Sequence, residues 1–449
     1  MKKILLLLIP VALFIGRSTY CDVTIPGTSL PVSGTEEKIP GTGLAVSGYA
    51  SWEAGQVVKG VDVNGPTSHD WVQTGYIGLM VDDSISSCFR VLVQGEGQMQ
   101  FSFNLDPGFV ETYRTTETPQ LNYNIKRGEG VLTLGDPPAV AWQVELGFFP
   151  YKYNSDARNL GEYLFRTFPY PQFIINVFDR PYANLLGLRI GTGVGDIFHG
   201  DLLFTSEIQN FPLEDFSLSY VADVRPIKSL DFGAGIDFDR LFPANNLLTT
   251  PTQLQDQYTT PGGATRYYTF AGTKVMARAS FDPKYYIPAD ILPTDIFGAE
   301  DLKLYTEAAI LGLKNYPVLD STPAYYTNLS QRIPIMGGFD FPAFKLLDVL
   351  AVEVEYFSNP YPNSYSAPFE NDAPLPLTSL PPGVSTLSKW KWSVYAKRSL
   401  GKHFFAVVQV ARDHLIPLSN SLSATIQDHT DVLLRPGDWW WTAKTEFDF

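Results

Sequence analysis

The feature that most constrains this chain is a strict two-residue alternation, clearest in its last eleven residues. Trp439, Trp441, Ala443, Thr445, Phe447 and Phe449 fall on one face of an extended strand, and Trp440, Thr442, Lys444, Glu446 and Asp448 on the other. The pattern returns along the whole chain. Leu350, Val352, Val354 and Tyr356 alternate with Glu353 and Glu355, and Trp390, Trp392, Val394 and Ala396 with Lys389, Lys391, Ser393 and Lys397. Sixteen such segments are expected, at 44–57, 69–81, 89–104, 120–134, 139–150, 184–196, 201–210, 216–227, 230–241, 267–281, 302–314, 333–343, 347–358, 387–399, 403–413 and 439–449. One face of each carries too many charges and amides for a dry core, so that face must meet water.

Composition agrees with a two-faced sheet. Only 18% of residues are charged while 45% are hydrophobic, and the mean hydropathy is −0.04. The 30 Phe, 24 Tyr and 8 Trp, with 36 Gly and 34 Pro, disfavour a helical bundle. A formal charge of −14 argues against nucleic-acid binding by phosphate neutralisation. At the N-terminus, Lys2 and Lys3 precede an apolar run from Ile4 to Ile15 and then small or polar residues, the layout of a secretory signal peptide over 1–21. Past that run no apolar stretch reaches the roughly 18 residues of a spanning helix. Cys21 stands where a lipoprotein would be lipidated, but Tyr20 before it fits that signal poorly, and Cys21 and Cys88 are too few for a disulfide framework. Residues 22–43 form a Pro/Gly-rich leader in which Ile25–Gly34 is repeated as Ile39–Gly48, and 44–449 is left for the barrel.

With the chain end on one side of the sheet, connections alternate in length. Short ones are expected at 82–87, 135–138, 197–200, 226–229, 344–346 and 398–402, and long ones on the opposite side. The 282–301 segment is too long for its place and is expected to form a small helix or plug around 289–297. A signal peptide, alternating strands and an amphipathic last strand ending in Phe447 and Phe449 resemble bacterial outer-membrane β-barrels. The resemblance is to the architecture of general porins, with no family motif. It implies an all-β, transmembrane, antiparallel up-and-down barrel of about 16 strands in the outer membrane. Its implied partners are lipid, the barrel-assembly machinery reading Phe449 and Phe447, small hydrophilic solutes and a homotrimer. For the third long connection, 151–183, two courses stay open: into the lumen as a constriction, which the resemblance to general porins implies, or over the extracellular rim as a cap whose ion pairs are ordinary surface pairs.

Within that connection, residues 156–166 read as a short helix that places Arg158, Glu162 and Arg166 on one face. Parity puts Glu96, Lys126, Glu145, Arg189, Asp223, Asp237, Glu353, Glu355, Lys389 and Lys397 on the lumen wall, with Phe149, Tyr305, Tyr395 and Phe405 among the inward aromatics. No catalytic or metal set emerges. His69, His199, His403, His414 and His429 lack ligand spacing. Gly191-Thr192-Gly193-Val194-Gly195 lacks the helix of a dinucleotide loop, and Asp413-His414 with Ser419 is too common a loop composition to be read as a triad. The expectation is a non-enzymatic, cofactor-free channel for passive diffusion of small hydrophilic solutes, weakly cation-preferring. The alternatives are an occluded structural or surface-interaction barrel and a saccharide-specific uptake channel.

Overall fold

The computed structural model describes residues 37–38, 43–60, 70–104, 120–136, 140–166, 183–206, 215–242, 257–259, 263, 265–267, 272–288, 296–313, 328–358, 388–412 and 435–449. The expected signal peptide over 1–21, most of the expected leader, Cys21, and the Pro-rich 359–387 connection lie outside them, as do 413–434 with His414, Ser419 and His429.

Sixteen strands close into one barrel. They are β1 (Leu44–Lys59), β2 (Asp70–Ser84), β3 (Phe89–Asn104), β4 (Gln120–Asp136), β5 (Val140–Tyr151), β6 (Ala183–Val194), β7 (Phe198–Ser206) and β8 (Phe216–Ile227). There follow β9 (Leu230–Phe242), β10 (Gly272–Phe281), β11 (Leu304–Ile310), β12 (Ile335–Asp340), β13 (Val349–Tyr356), β14 (Trp390–Leu400), β15 (Phe404–Arg412) and β16 (Trp439–Asp448). Each strand pairs antiparallel with the next, and β16 pairs with β1 from Trp440↔Val57 to Asp448↔Tyr49, so no edge remains. The two residues Glu37–Lys38 add a short antiparallel pairing to the start of β1. The expected strand count and every strand's place are observed.

The boundaries shift where the backbone turns. β7 begins at Phe198 rather than 201, because the tight turn falls on Gly195, at φ +55°, through Ile197. β11 and β12 are shorter than expected. Leu302 at φ +70° delays the entry to β11, and a 3₁₀ turn at Leu329–Arg332 precedes β12. In the long 282–301 connection the described part holds a 3₁₀ turn at Pro283–Tyr286, capped by Asp282. Lys284 Nζ donates to the carbonyls of Gly298 and Ala299. Residues 289–295, where a small helix was expected, lie outside the described residues.

The alternation becomes an inside-out surface. Ile77, Leu79, Val93, Ile125, Leu146, Leu202, Val354 and Val408 stand exposed on the exterior, while Glu53, Glu96, Glu129, Glu145, Arg189, Lys274, Glu307, Glu353 and Lys444 are buried inside. This is the pattern of a barrel solvated by lipid. Aromatic residues mark both ends of the outer face. At the long-loop end stand Trp390 on Tyr356, with ring centroids 4.9 Å apart, and Phe204 stacked on Phe216 at 5.0 Å. At the short-turn end stand Tyr285, Tyr286, Phe341, Phe344, Phe447 and Phe449. Among the described residues no helix is long and apolar enough to cross a membrane.

The closing seam depends on one glycine. Phe449 and Gly48 exchange both backbone hydrogen bonds, at 2.7 and 2.8 Å, and the Phe449 ring lies over Gly48 so closely that a Cβ there would meet it at 2.6 Å. Gly48→Val must therefore displace the terminal ring and strain the seam by about 1–3 kcal/mol. Its expected outcome is a lower midpoint for urea unfolding in detergent, whereas Gly95→Val, with open space around its Cβ, leaves the midpoint within error.

Candidate functional site

After Tyr151 the chain turns into the barrel. Tyr153, Ala157, Leu160, Tyr163, Leu164 and Phe165 are all buried, packed in one cluster with the wall residues Phe149, Leu185, Leu203, Val221, Met276, Tyr305 and Met336. Phe165 sits edge-on to Tyr151 and Tyr153, at centroid distances of 5.6 and 6.0 Å. The turn is made by Gly161 at φ +89° and Glu162 at φ +61°. Gly161 is required there, because a Cβ would also strike Met336 Cε at 2.7 Å. The described part of the third long connection, 152–166, thus lies inside the barrel, the first of the two courses that the sequence leaves open. Residues 167–182 are outside the described residues.

A loop carried off the water leaves peptide N–H groups without partners, and here wall carboxylates accept them. Glu353 on β13 accepts from the backbone N–H of Arg158 (2.6 Å), Asn159 (2.9 Å) and Leu160 (2.8 Å). Glu307 on β11 accepts from the N–H of Glu162 (3.1 Å) and Tyr163 (2.9 Å), from Tyr153 Oη (2.7 Å) and from Asn154 Nδ2 (2.7 Å). Tyr163 Oη donates to Glu355 at 2.7 Å, and Lys274 Nζ donates to the Leu164 carbonyl at 2.8 Å. These are charge-assisted bonds, stronger than neutral ones.

Strand register places the Glu353 carboxylate. Tyr305, Gly338 and Glu353 are directly opposite one another on β11, β12 and β13. The missing side chain at Gly338 lets the Tyr305 ring lie flat across β12, a Cβ there meeting the ring at 2.1 Å, and brings Tyr305 Oη to Glu353 at 3.0 Å. The same triplet recurs as Tyr49, Gly78 and Glu96 on β1, β2 and β3, with the Tyr49 hydroxyl donating to Glu96.

The loop's tip reaches the short-turn end of the barrel. Arg158 bridges to Glu300 at 2.7 Å and Asp340 at 3.6 Å, and Lys303 to Asp156 at 3.3 Å and Glu300 at 2.9 Å. Burial alone would raise the carboxyl of Asp156. Lys303, a Ser280 hydrogen bond, Arg158 and Arg278 outweigh it and hold the group below its ordinary value. Glu300 is likewise lowered, burial being overcome by Lys303 and Arg158, and Lys303 is raised by Asp156 and Glu300 against its own burial.

The expected helix over 156–166 is not formed. Only Tyr163–Arg166 is helical, because Gly161 and Glu162 occupy left-handed backbone, and Arg158 and Glu162 therefore share no helical face. Arg158 turns to Glu300, while Glu162 folds back to accept the N–H of Asn154 and, at 3.4 Å, that of Tyr153. Of Arg166 only the backbone is described. Loop docking uses Glu353 and Glu355. Glu96 pairs with Lys126 at 3.0 Å, Arg189 with Glu145 at 2.8 Å, and Asp223 with Arg278. Asp237 accepts from Ser219 Oγ at 2.7 Å. Lys397 lies over the Phe405 ring at 4.4 Å, and Lys389 stands exposed just before β14, its carbonyl accepting from Phe357. Phe149 and Tyr305 are taken up by the loop cluster, and Tyr395 and Phe405 pack with Val349, Ala351 and Val407. The alternation assigns Glu307 and Lys274 to the inward face, yet nothing in sequence marks them as loop anchors. Glu300, Lys303 and Asp340 had no such signal, being at strand ends. Among the described residues no group of three His, Cys, Asp or Glu could hold a metal ion.

No family model and no curated relative matches this chain. Solved structures similar to it include Salmonella typhi OmpF in complex with daunomycin (10% identity, 92% of this chain and 100% of that chain covered, TM-score 0.49). Others are Pseudomonas putida OprB in a high-pH structure (8%, 91% and 94%, 0.48) and a mutant of Rh. blastica porin (9%, 90% and 100%, 0.41). The architecture here is a porin-like barrel. It stands on the closed strand register and the inward third loop themselves.

Two outcomes follow from the docking. Glu353→Ala removes the acceptor of three amides and a tyrosine, weakening loop docking by about 3 kcal/mol or more, and limited proteolysis should then cut within 152–160 while the barrel stays intact. Because Asp156 and Glu300 are lowered from 3.8 and 4.5, their contribution is full above those values and drains as pH falls through the lowered ones. Lys303, raised from 10.5, contributes fully below that value and loses its part only at higher pH. The tip should resist cleavage at about pH 5–8 and become open to pepsin at about pH 3 and below.

Proposed function

We propose that this protein is an outer-membrane channel through which small hydrophilic solutes diffuse passively. The observation that carries the reading is the pairing of an apolar, aromatic-belted exterior with a charged interior, into which one loop is drawn and held by wall carboxylates. Such a loop narrows a lumen without filling it by apolar packing alone, and its charges set the local field for passing ions. The contacts of residues 152–166 with the wall given above run from β5 to β13. On this reading the solute path lies between the loop and the arc formed by β14–β16 and β1–β4. Export by the N-terminal segment and recognition of Phe449 by the assembly machinery belong to the same proposal, supported by the seam that the terminal residue closes.

Weak cation preference accords with the formal charge of −14 and with the three carboxylates of Asp156, Glu300 and Asp340 meeting two cations, Arg158 and Lys303, at the tip. Refolded protein in planar bilayers should give stepwise conductance with a modest cation preference. Arg158→Gln leaves Glu300 and Asp340 less neutralised and should raise the cation-to-anion permeability ratio about two- to threefold. A folded barrel without conductance steps would contradict the channel and favour an occluded barrel.

A further inference from the structure

On the lumen wall near the short-turn end, charged side chains form a continuous ladder from β5 to β10. Arg189 bridges Glu145 at 2.8 Å and Asp201 at 2.9 Å, and Arg278 bridges Asp223 and, at 3.5 Å, Asp231, which Arg225 meets at 3.2 Å. Between the two halves stands His199, with Nε2 at 3.4 Å from Asp201 and Nδ1 at 3.8 Å from Asp223. The remaining oxygen of Asp201 is taken by the Tyr151 hydroxyl at 3.0 Å.

Carboxylate and cation alternate at every rung except this one. Four carboxylates face three guanidinium groups, so a neutral imidazole leaves one negative charge uncompensated at the middle of the ladder. The His199 Nε2 atom is shielded from solvent and makes no hydrogen bond among the described residues. Beside the ladder lies a cavity of about 210 Å³, whose lining includes His199, Asp201, Asp223, Asp231, Tyr153 and Lys152. At roughly 30 Å³ per water that is room for about seven waters, far more than a bare ion needs. Its other charged lining residues, Asp196, Arg225, Arg278 and Lys152, leave the lining as a whole with the same single negative excess. Lys152 is turned to the Ala157 carbonyl at 2.6 Å.

We propose that this cavity is a binding subsite for a small organic cation, and in particular for a guanidinium group. A planar guanidinium offers N–H donors along two edges and can meet Asp201 and Asp223 as Arg189 and Arg278 already do on either side. The ligand supplies the missing rung. The subsite's part in solute passage rests on the channel reading, whereas its occupancy does not.

The test is calorimetric titration of folded protein in detergent with methylguanidinium chloride, with urea as the uncharged control. Saturable binding of methylguanidinium and none of urea is expected. His199→Gln, which stays neutral, should retain that binding. His199→Lys, which installs a permanent cation while leaving every carboxylate in place, should weaken it about tenfold or more, as should Asp223→Asn. Absence of saturable binding to the wild-type barrel overturns the proposal, as does equal affinity in wild type and His199→Lys. Because the readout is binding to protein in detergent, it stands apart from any result on conductance.

Discussion

The constraint on which this structure depends is that a peptide N–H removed from water must find an acceptor. In the wall the solution is closure: sixteen antiparallel strands satisfy one another, and β16 against β1 removes the last edge. Inside the barrel ladder pairing is not open to an irregular loop, and the acceptors are the carboxylates of Glu353 and Glu307. Each takes several donors at once, which a carboxylate can do and an amide oxygen does less well. The loop's apolar residues then pack on inward Phe149, Leu185, Leu203 and Met336. Hydrogen bonding fixes the loop's path, and apolar packing fills the space it leaves.

Glycines placed opposite aromatic residues make this geometry reachable. Tyr305 over Gly338 and Tyr49 over Gly78 lie flat along the wall and carry their hydroxyls to Glu353 and Glu96, two strands away. Phe449 over Gly48 repeats the arrangement on the outer surface at the closing seam. A side chain on any of these glycines would push the ring out into the lumen or the lipid.

Much of the fold was legible in sequence because its period is local. Trp390 to Lys397 and Leu350 to Tyr356 each declare two faces within eight residues, and the observed faces are those. The strand count also agrees with expectation, whereas the course of residues 152–166, inward or over the rim, was left open by the sequence and is decided by the wall contacts. What was not legible depends on contacts distant in sequence. Arg158 and Glu162 have helical spacing, but Glu307 and Glu353, some 145 and 194 residues away, draw the backbone amides of 158–163 into an unwound path. Gly161, placed by that spacing inside the helix, is where the path turns. Likewise Glu300 lies in a connection whose length alone was notable and Lys303 just past it, and only the folded chain brings them to the loop's tip.

The most direct test of this account is hydrogen exchange of the folded barrel, resolved over residues 152–166. The amides of Arg158, Asn159, Leu160, Glu162 and Tyr163 donate to wall carboxylates. They should exchange as slowly as amides of the neighbouring strands and lose that protection in Glu353→Gln and Glu307→Gln. Exchange at the rate of a free surface loop in the wild-type protein would contradict it.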